Sequence, residues 1–252
     1  MSDGRAEAPD LVLLHGWGAN REVWRELRRL LAQRFRIHTP EVPYGEDAAP
    51  HETDRISAIA ERLAARAPRR CAVCGWSLGG AIALAWAARA PHQVTHLVLI
   101  ATTPCFVQRA DWPHGLQPWS VRDFAHRVAR EPAAVLTRFI ALQARGDARS
   151  ARVARHLKRS LAGRSHPTDT AALERGLSLL LAVDLRGDLQ RIEQPAFVLH
   201  GARDAVVPLA AGQYLAQHLP RARLVVVEDA AHVPFVSQPE ASAGALARFL
   251  DG

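Results

Sequence analysis

Residues 71–80, Cys71-Ala72-Val73-Cys74-Gly75-Trp76-Ser77-Leu78-Gly79-Gly80, set the architecture of this 252-residue chain. Cys71 to Cys74 form a short apolar run of the kind buried on both faces in a parallel sheet. Residues 81–89 carry a helical pattern, closed by Pro91. Between them Gly75-Trp76-Ser77-Leu78-Gly79 matches G-x-S-x-G, within the glycine-rich turn expected over 75–80. This strand–turn–helix context is what the motif requires. The physics is steric. A serine on so sharp a turn has strained backbone angles, and flanking glycines remove the clashes. The turn lifts the hydroxyl clear of the sheet. The helix N-terminus that follows directs free N–H groups and the positive end of its dipole at the same spot. The plain alternative is a glycine-rich turn holding an incidental serine.

Upstream, Leu11-Val12-Leu13-Leu14 is a second continuous apolar run, ended by His15-Gly16-Trp17-Gly18. A helix is expected near 22–33, a strand at 35–39, a loop over the proline-rich 40–51 and a helix over 53–66. Downstream, 96–101 is the next strand. From Pro104 to about Val183 no convincing strand occurs, and helices are expected near 121–129, 133–144, 148–162 and 170–182. Alternation then resumes with strand 196–200, helix 209–218, strand 224–227 and helix 239–250. Such alternation makes an α/β protein with a mostly parallel sheet and helices on both faces. The expected core is 1–103 with 184–252. An all-helical insertion, 104–183, would form a lid over the C-terminal strand ends, where open α/β sheets bind ligands.

A serine hydroxyl needs a base, and the base needs an orienting acid. On this kind of turn the partners follow in chain order as acid, then histidine. Asp204 follows the strand ending at His200-Gly201, and His232 follows the strand ending at Val227. Both should reach the sheet edge that holds Ser77. Asp204 would hold the imidazole tautomer and His232 would take the Ser77 proton. The bland alternative makes Asp204 a helix cap and His232 a loop residue. Asp184 follows a helix and is expected to pair with an arginine. His200 lies within a strand, and His15 is expected to brace the first turn. Oxyanion donors are expected at the backbone N–H of Leu78 and of Trp17, with the Trp17 indole lining an acyl pocket.

Composition narrows the class. The chain is 48% hydrophobic and 23% charged, which excludes whole-chain disorder. No apolar run reaches the roughly 18 residues of a membrane helix, and the first residues lack a signal-peptide core. A cytoplasmic monomer without a membrane partner is expected. The odd number of cysteines agrees with that compartment. Cys71 and Cys74 form C-x-x-C, but three positions apart on a strand their thiols face opposite ways. They read as packing residues. The histidines show no metal spacing, and no nucleotide-binding loop occurs, so no metal and no cofactor are expected.

The net charge of +7 is concentrated. Arg138, Arg145, Arg149, Arg152, Arg155, Lys158, Arg159 and Arg164 face one acid, Asp147, a surplus of seven that equals the whole chain's. On a helix over 148–162, Arg149, Arg152, Arg155 and Arg159 fall within an arc of about 120°, with Val153, Ala154, Leu157 and Leu161 on another. The ordinary reading is a solvated face. The functional one is a docking surface for an acidic partner. Nucleic acid is disfavoured, because the patch adjoins the expected pocket.

With these residues in view, the chain resembles the α/β-hydrolase esterases, and within them the BioH type of the biotin pathway. The stretches carrying the resemblance are 11–24 (LVLLHGWGANREVW), 75–80 (GWSLGG), 103–106 with 111–113 (TPCF, DWP), 138–143 (RFIALQ), 183–186 (VDLR) and 230–239 (AAHVPFVSQP). It covers nearly the whole chain, and TPCF–DWP and RFIALQ are its more specific parts. The resemblance implies hydrolysis of the methyl ester of a pimeloyl chain on acyl carrier protein. It places a catalytic triad on Ser77, Asp204 and His232. Trp17, Ser77, Leu78 and His232 would meet the acyl end, and 139–143, from Phe139 to Gln143, would line the channel. Arg138 and Arg155 would meet the carrier protein. The family has a β-hairpin before the first core strand, whereas this chain begins almost directly with that strand, so about six strands are expected rather than eight. Ala134 and Ala151 stand where the family has arginine, while Arg145, Arg149 and Arg152 are extra. Two other functions fit the same residues: a general short-acyl carboxylesterase without a carrier partner, and a non-catalytic binder that kept the fold.

Overall fold

β1 (Asp10–Leu14) and β3 (Cys71–Trp76) are adjacent parallel strands, buried along almost their whole length. They form the centre of a computed structural model that describes residues 8–43, 55–162 and 170–252. β2 (Arg36–His38) pairs with β1 on one side; β4 (Val94–Ile100), β5 (Ala196–Gly201) and β6 (Ala222–Val227) follow β3 on the other. The order is β2-β1-β3-β4-β5-β6, and every pairing is parallel. The described sheet thus has the six strands expected.

The helices are α1 (Arg25–Leu31), α2 (Arg55–Arg66), α3 (Leu78–Arg89), α4 (Pro118–Arg130), α5 (Pro132–Ala144), α6 (Ser150–Ala162), α7 (Thr170–Ala182), α8 (Leu209–His218), α9 (Pro234–Ser237) and α10 (Pro239–Leu250). α4 to α7 lie in the chain between β4 and β5. Two 3-10 turns, Arg21–Trp24 and Arg186–Arg191, complete the set.

Period-two alternation builds the core. Val12, Leu14, Val73, Leu97 and Leu99 pack on the α2/α3 side of the sheet, and Leu11, Leu13, Ala72, Val98 and Ile100 on the α1/α10 side. Each such side chain contributes about 1.5–3 kcal/mol on full burial. Cys71 belongs to the first cluster and Cys74 to the second, so the two thiols do lie on opposite faces.

Several boundaries differ from expectation. The turn expected over 75–80 is much shorter, because α3 starts at Leu78 and includes Gly79 and Gly80. Gly79 serves close approach. A Cβ there would lie 2.3 Å from the Leu14 carbonyl oxygen, so only glycine lets α3 dock against β1. The helix expected at 22–33 splits into a 3-10 turn and α1, where the Asn20 side chain caps the Glu22 N–H. α6 starts at Ser150, which leaves Arg149 in the preceding turn rather than on the helical arc. The short α9 was not anticipated. Of the expected loop over 40–51, residues 44–51 lie outside the described residues, as do Thr53, Asp54 and Arg164.

Candidate active site

Ser77 is the one residue between β3 and α3, and its φ of 56° and ψ of −122° are strained for a residue with a Cβ. The surroundings enforce this conformation. Ser77 N–H donates to the Ile100 carbonyl at 3.0 Å, and the Ser77 carbonyl accepts from Thr102 Oγ1 at 2.6 Å and from Gly80 N–H at 2.9 Å. A Cβ on Gly75 would lie 2.2 Å from the Gly79 carbonyl oxygen, so the turn closes only over glycine. Ser77 starts α3 without capping it through its side chain, which leaves the hydroxyl free for chemistry.

Asp204 and His232 come from the loops after β5 and β6. Those loops cross at Gly201, where a Cβ would lie 2.1 Å from the Ala231 carbonyl oxygen. Arg203 N–H donates to the Ala230 carbonyl at 3.0 Å, holding the crossing. Asp204 Oδ1 accepts from Val206 N–H at 2.8 Å and Val207 N–H at 2.9 Å, a tight turn ahead of α8. Its Oδ2 accepts from His232 Nδ1 at 2.8 Å. Asp204 therefore caps a turn and also meets the imidazole, so the two readings of it coexist. With the proton on Nδ1, the lone pair of His232 is on Nε2.

The backbone of His232 is held as well. Its N–H donates to the Gln143 carbonyl at 3.3 Å, and its carbonyl accepts from Trp76 Nε1 at 2.8 Å. The Trp76 ring stands 5.5 Å from the imidazole, centroid to centroid. His232 Nε2 is buried and accepts from no donor among the described residues, Ser77 Oγ included. No Ser77–His232 hydrogen bond is therefore formed in this structure.

Trp17 and Leu78 flank the serine. Leu78 N–H is the first of α3 and has no intrahelical partner. Gly16 brings the Trp17 loop close, since a Cβ on Gly16 would lie 3.0 Å from Ser77 Cβ. The Trp17 indole donates to the Leu173 carbonyl of α7 at 2.9 Å and meets Phe124 and Phe139 edge-on, at 5.4 and 5.0 Å. Together with Trp76, Phe139, Ile140, Gln143 and Leu157 it encloses a cavity of only about 10 Å³. That space is at the lower limit for one water. Gln143 Oε1 is buried there without a hydrogen-bond partner.

The remaining expectations sort as follows. Asp184 pairs with Arg186 at 2.7 Å and Arg109 at 3.4 Å. His15 braces the first loop, accepting from Val42 N–H at 3.1 Å. His200 lies in β5 as expected, yet its Nε2 comes within 3.5 Å of Asp204 Oδ2 while donating to the Val207 carbonyl at 3.0 Å. Burial lowers the His200 pKa below the ordinary value, and the neighbouring Asp204 charge opposes this. His200 and Asp204 are four residues apart, and the tight turn closed by Val206 and Val207 on Asp204 Oδ1 folds the acid back beside the strand. Trp76 was also missed, although its position inside G-x-S-x-G was its signal. Among the described residues no group of three or more His, Cys, Asp or Glu could hold a metal.

The five arginines expected to dock a partner do not act alike. Arg149 Nη1 donates to the Ser237 carbonyl at 3.3 Å. Arg152 donates to the Val236 carbonyl at 3.0 Å and pairs with Glu26 at 2.6 Å. Both therefore fasten α6 to the segment around α9. Arg155 and Arg159 are exposed and line a cleft of about 540 Å³ with Arg25 and Arg29. Arg138 faces a separate groove, with Arg145. Arg152 is exposed too and lines the cleft of Arg155 and Arg159, so α6 keeps one cationic face while part of it also bonds to the segment around α9.

Comparison with known proteins accords with this geometry. Residues 9–239 match the family described as alpha/beta hydrolase fold. A protein of Aromatoleum aromaticum named pimeloyl-[acyl-carrier protein] methyl ester esterase is 46% identical, over 92% of this chain and 94% of its own length. One of the same name from Nitrosomonas europaea is 42% identical, over 92% of each. Among solved structures, an esterase from Exiguobacterium antarcticum superposes with a TM-score of 0.82 at 23% identity, covering 97% of this chain and 92% of that one. No described helix is long and apolar enough to cross a membrane.

Proposed function

Because the chain belongs to the alpha/beta hydrolase fold family, we propose that it is a serine carboxylesterase that hydrolyses the methyl ester of pimeloyl-acyl carrier protein. The products are pimeloyl-acyl carrier protein and methanol. The substrate assignment rests on relatives of that name, which are up to 46% identical over nearly the whole chain. The chemical assignment rests on one observation: Asp204 fixes the His232 proton on Nδ1, leaving an unused Nε2 lone pair beside a strained serine.

In the proposed mechanism, the Ser77 hydroxymethyl group turns toward His232. Oγ attacks the ester carbonyl carbon as its proton passes to Nε2. The N–H groups of Leu78 and Trp17 receive the developing oxyanion, in a water-poor setting where such donors are most effective. The tetrahedral centre collapses, and the methoxide takes the proton from His232 to leave as methanol. A water then gives a proton to Nε2 and attacks the acyl carbonyl, and Ser77 departs with that proton. The free carboxylate remains on the carrier-bound chain. It is a poor guest for the apolar walls of Trp17, Phe139 and Leu157. No metal or cofactor takes part.

Residues 104–183, which hold α4 to α7, act as the lid in this reading. Its support is that α5 and α6 supply Phe139, Ile140, Gln143 and Leu157 to the closed cavity. Trp17 ties the lid to the core through Leu173. The acidic carrier protein would meet Arg155, Arg159 and Arg138, all three exposed. The smallness of the cavity favours a second reading, a short-acyl esterase with no carrier partner.

Methyl pimeloyl-acyl carrier protein and a series of p-nitrophenyl esters separate the two. The proposal expects kcat/KM to be highest for the carrier substrate, and this protein to restore growth of a biotin auxotroph lacking that esterase. A preference for p-nitrophenyl acetate, with no rescue at good expression, would establish the second reading. A fluorophosphonate should label the native chain but not Ser77→Ala. Equal labelling of both would exclude the serine mechanism.

A further inference from the structure

The one acid of the basic stretch 138–164 is also among the most buried charged groups in the molecule. Asp147 sits in the turn between α5 and α6 and is only 6% exposed. Sequence alone placed it as the lone negative charge in a basic stretch, where pairing with an arginine would be ordinary. It pairs with none. Its Oδ1 accepts from its own Arg149 N–H at 2.7 Å and from Ser237 Oγ at 2.8 Å, and its Oδ2 accepts from Ala231 N–H at 2.9 Å. Ala231 immediately precedes His232, and Ser237 ends α9 five residues after it. The carboxylate thus grips the histidine segment on both sides of the imidazole. Further bonds run in parallel. Ala148 N–H donates to the Asp229 carbonyl at 2.9 Å, and His232 N–H to the Gln143 carbonyl at 3.3 Å.

We propose that Asp147 is a positioning residue that latches the α5–α6 turn to the His232 segment, so that the lid sets the attitude of the catalytic base. This deepens the reading of Ser77, Asp204 and His232 given above and rests on it. The reasoning is geometric. Asp204 controls only Nδ1, which leaves the imidazole able to swing about that bond. The backbone on either side of His232 decides where Nε2 points. The strongest acceptor for that backbone is a carboxylate that belongs to the lid and not to the core. A buried carboxylate satisfied by three neutral donors is retained only if those donors stay in register. The same α5 that carries Gln143 and Phe139 therefore holds the pocket wall and the base in one piece.

The test compares the native chain with Asp147→Asn and Ser237→Ala, using p-nitrophenyl acetate. An amide cannot accept at both oxygen positions, so Asp147→Asn releases Ala231 or Ser237. The expected result is a loss of about 10²-fold in kcat, the scale for misplacing a catalytic group by about an ångström, with KM within about twofold of the native value. The low-field proton resonance of the His232 Nδ1–H···Asp204 hydrogen bond should shift or broaden at temperatures where the variant remains folded. A purely structural role would lower Tm and leave that resonance and the kcat of the folded fraction unchanged, which would overturn the proposal. If Asp147→Asn does not fold, Ser237→Ala, which removes one donor and leaves the acid in place, decides the matter. Its kcat should fall by several-fold at constant KM, and an unchanged kcat would overturn the latch. Ser77→Ala and His232→Ala serve as controls. Should they retain native activity, the underlying catalytic assignment fails. Should they be inactive while both latch variants are native-like, the latch alone fails.

Discussion

Replacing Asp204 by asparagine should disable the base without disturbing the fold, and the structure dictates how. Asp204 uses its two oxygens differently. Oδ1 accepts two backbone N–H groups, from Val206 and Val207, and Oδ2 accepts the His232 Nδ1–H. An amide has only one accepting atom. Turning it toward His232 would strand two donors of a partly buried turn; keeping it in the turn strands none. The oxygen therefore stays at the Oδ1 position and the amide NH₂ faces Nδ1. The imidazole responds by carrying its proton on Nε2, where it can no longer accept from Ser77. For a serine–histidine–acid constellation this wrong tautomer costs about 10⁴-fold in kcat, equivalent to about 5.5 kcal/mol of barrier. Stability should change little, because both turn bonds survive. The assay is steady-state hydrolysis of p-nitrophenyl acetate by native and Asp204→Asn protein, with thermal unfolding measured on the same samples. A folded Asp204→Asn protein that loses less than tenfold in kcat would refute the reasoning about tautomers.

Other expectations follow from burial and charge. Burial holds His200 neutral, with its pKa below the ordinary histidine value of about 6.5. On acidification the unfolded chain therefore binds the proton first. The stabilisation is fully present above about pH 6.5 and is lost as pH falls toward the folded value. Tm should decline below pH 6.5, less steeply in His200→Gln, where His96 and His156, also lowered by burial, remain; equal slopes would contradict this. Cys71, Cys74 and Cys105 are buried, with burial raising their pKa, that of Cys71 to about 11. Mass spectrometry should find them unmodified by iodoacetamide in the native protein and modified after denaturation. Reversing Arg155 and Arg159 to glutamate together should reduce kcat/KM for the carrier substrate by about tenfold or more at low salt, with the deficit shrinking as salt rises. Hydrolysis of p-nitrophenyl acetate should be unaffected, and an unchanged carrier reaction would remove these two side chains from the docking surface.

Much of the fold was legible in the chain. Continuous apolar runs such as Leu11 to Leu14 and Cys71 to Cys74 announce buried parallel strands, and G-x-S-x-G between strand and helix announces its turn. Helices over 170–182, 209–218 and 239–250 were placed to the residue. The boundary of α3 was not, because glycine signals a turn by its freedom, whereas Gly79 is needed here for contact with the Leu14 carbonyl. The arginine arc was legible as periodicity but not as function. Arg152 and Arg155 look alike along the helix and both are exposed, yet Arg152 also bonds to Val236 and Glu26.

The residues of the site and the order in which they occur belong to the sequence, because strand alternation, helical period and the sterics of a tight turn are each settled within a few neighbours. The tertiary structure alone decided what acts on those residues. It set Trp76 against the imidazole, packed Trp17 against Phe124 and Phe139, and carried the Asp147 carboxylate to Ala231 and Ser237. Most of these contacts join segments that lie far apart in the chain. They arise only once two loops cross at Gly201 and helices α4 to α7 come to rest near them, and no local pattern encodes where that happens.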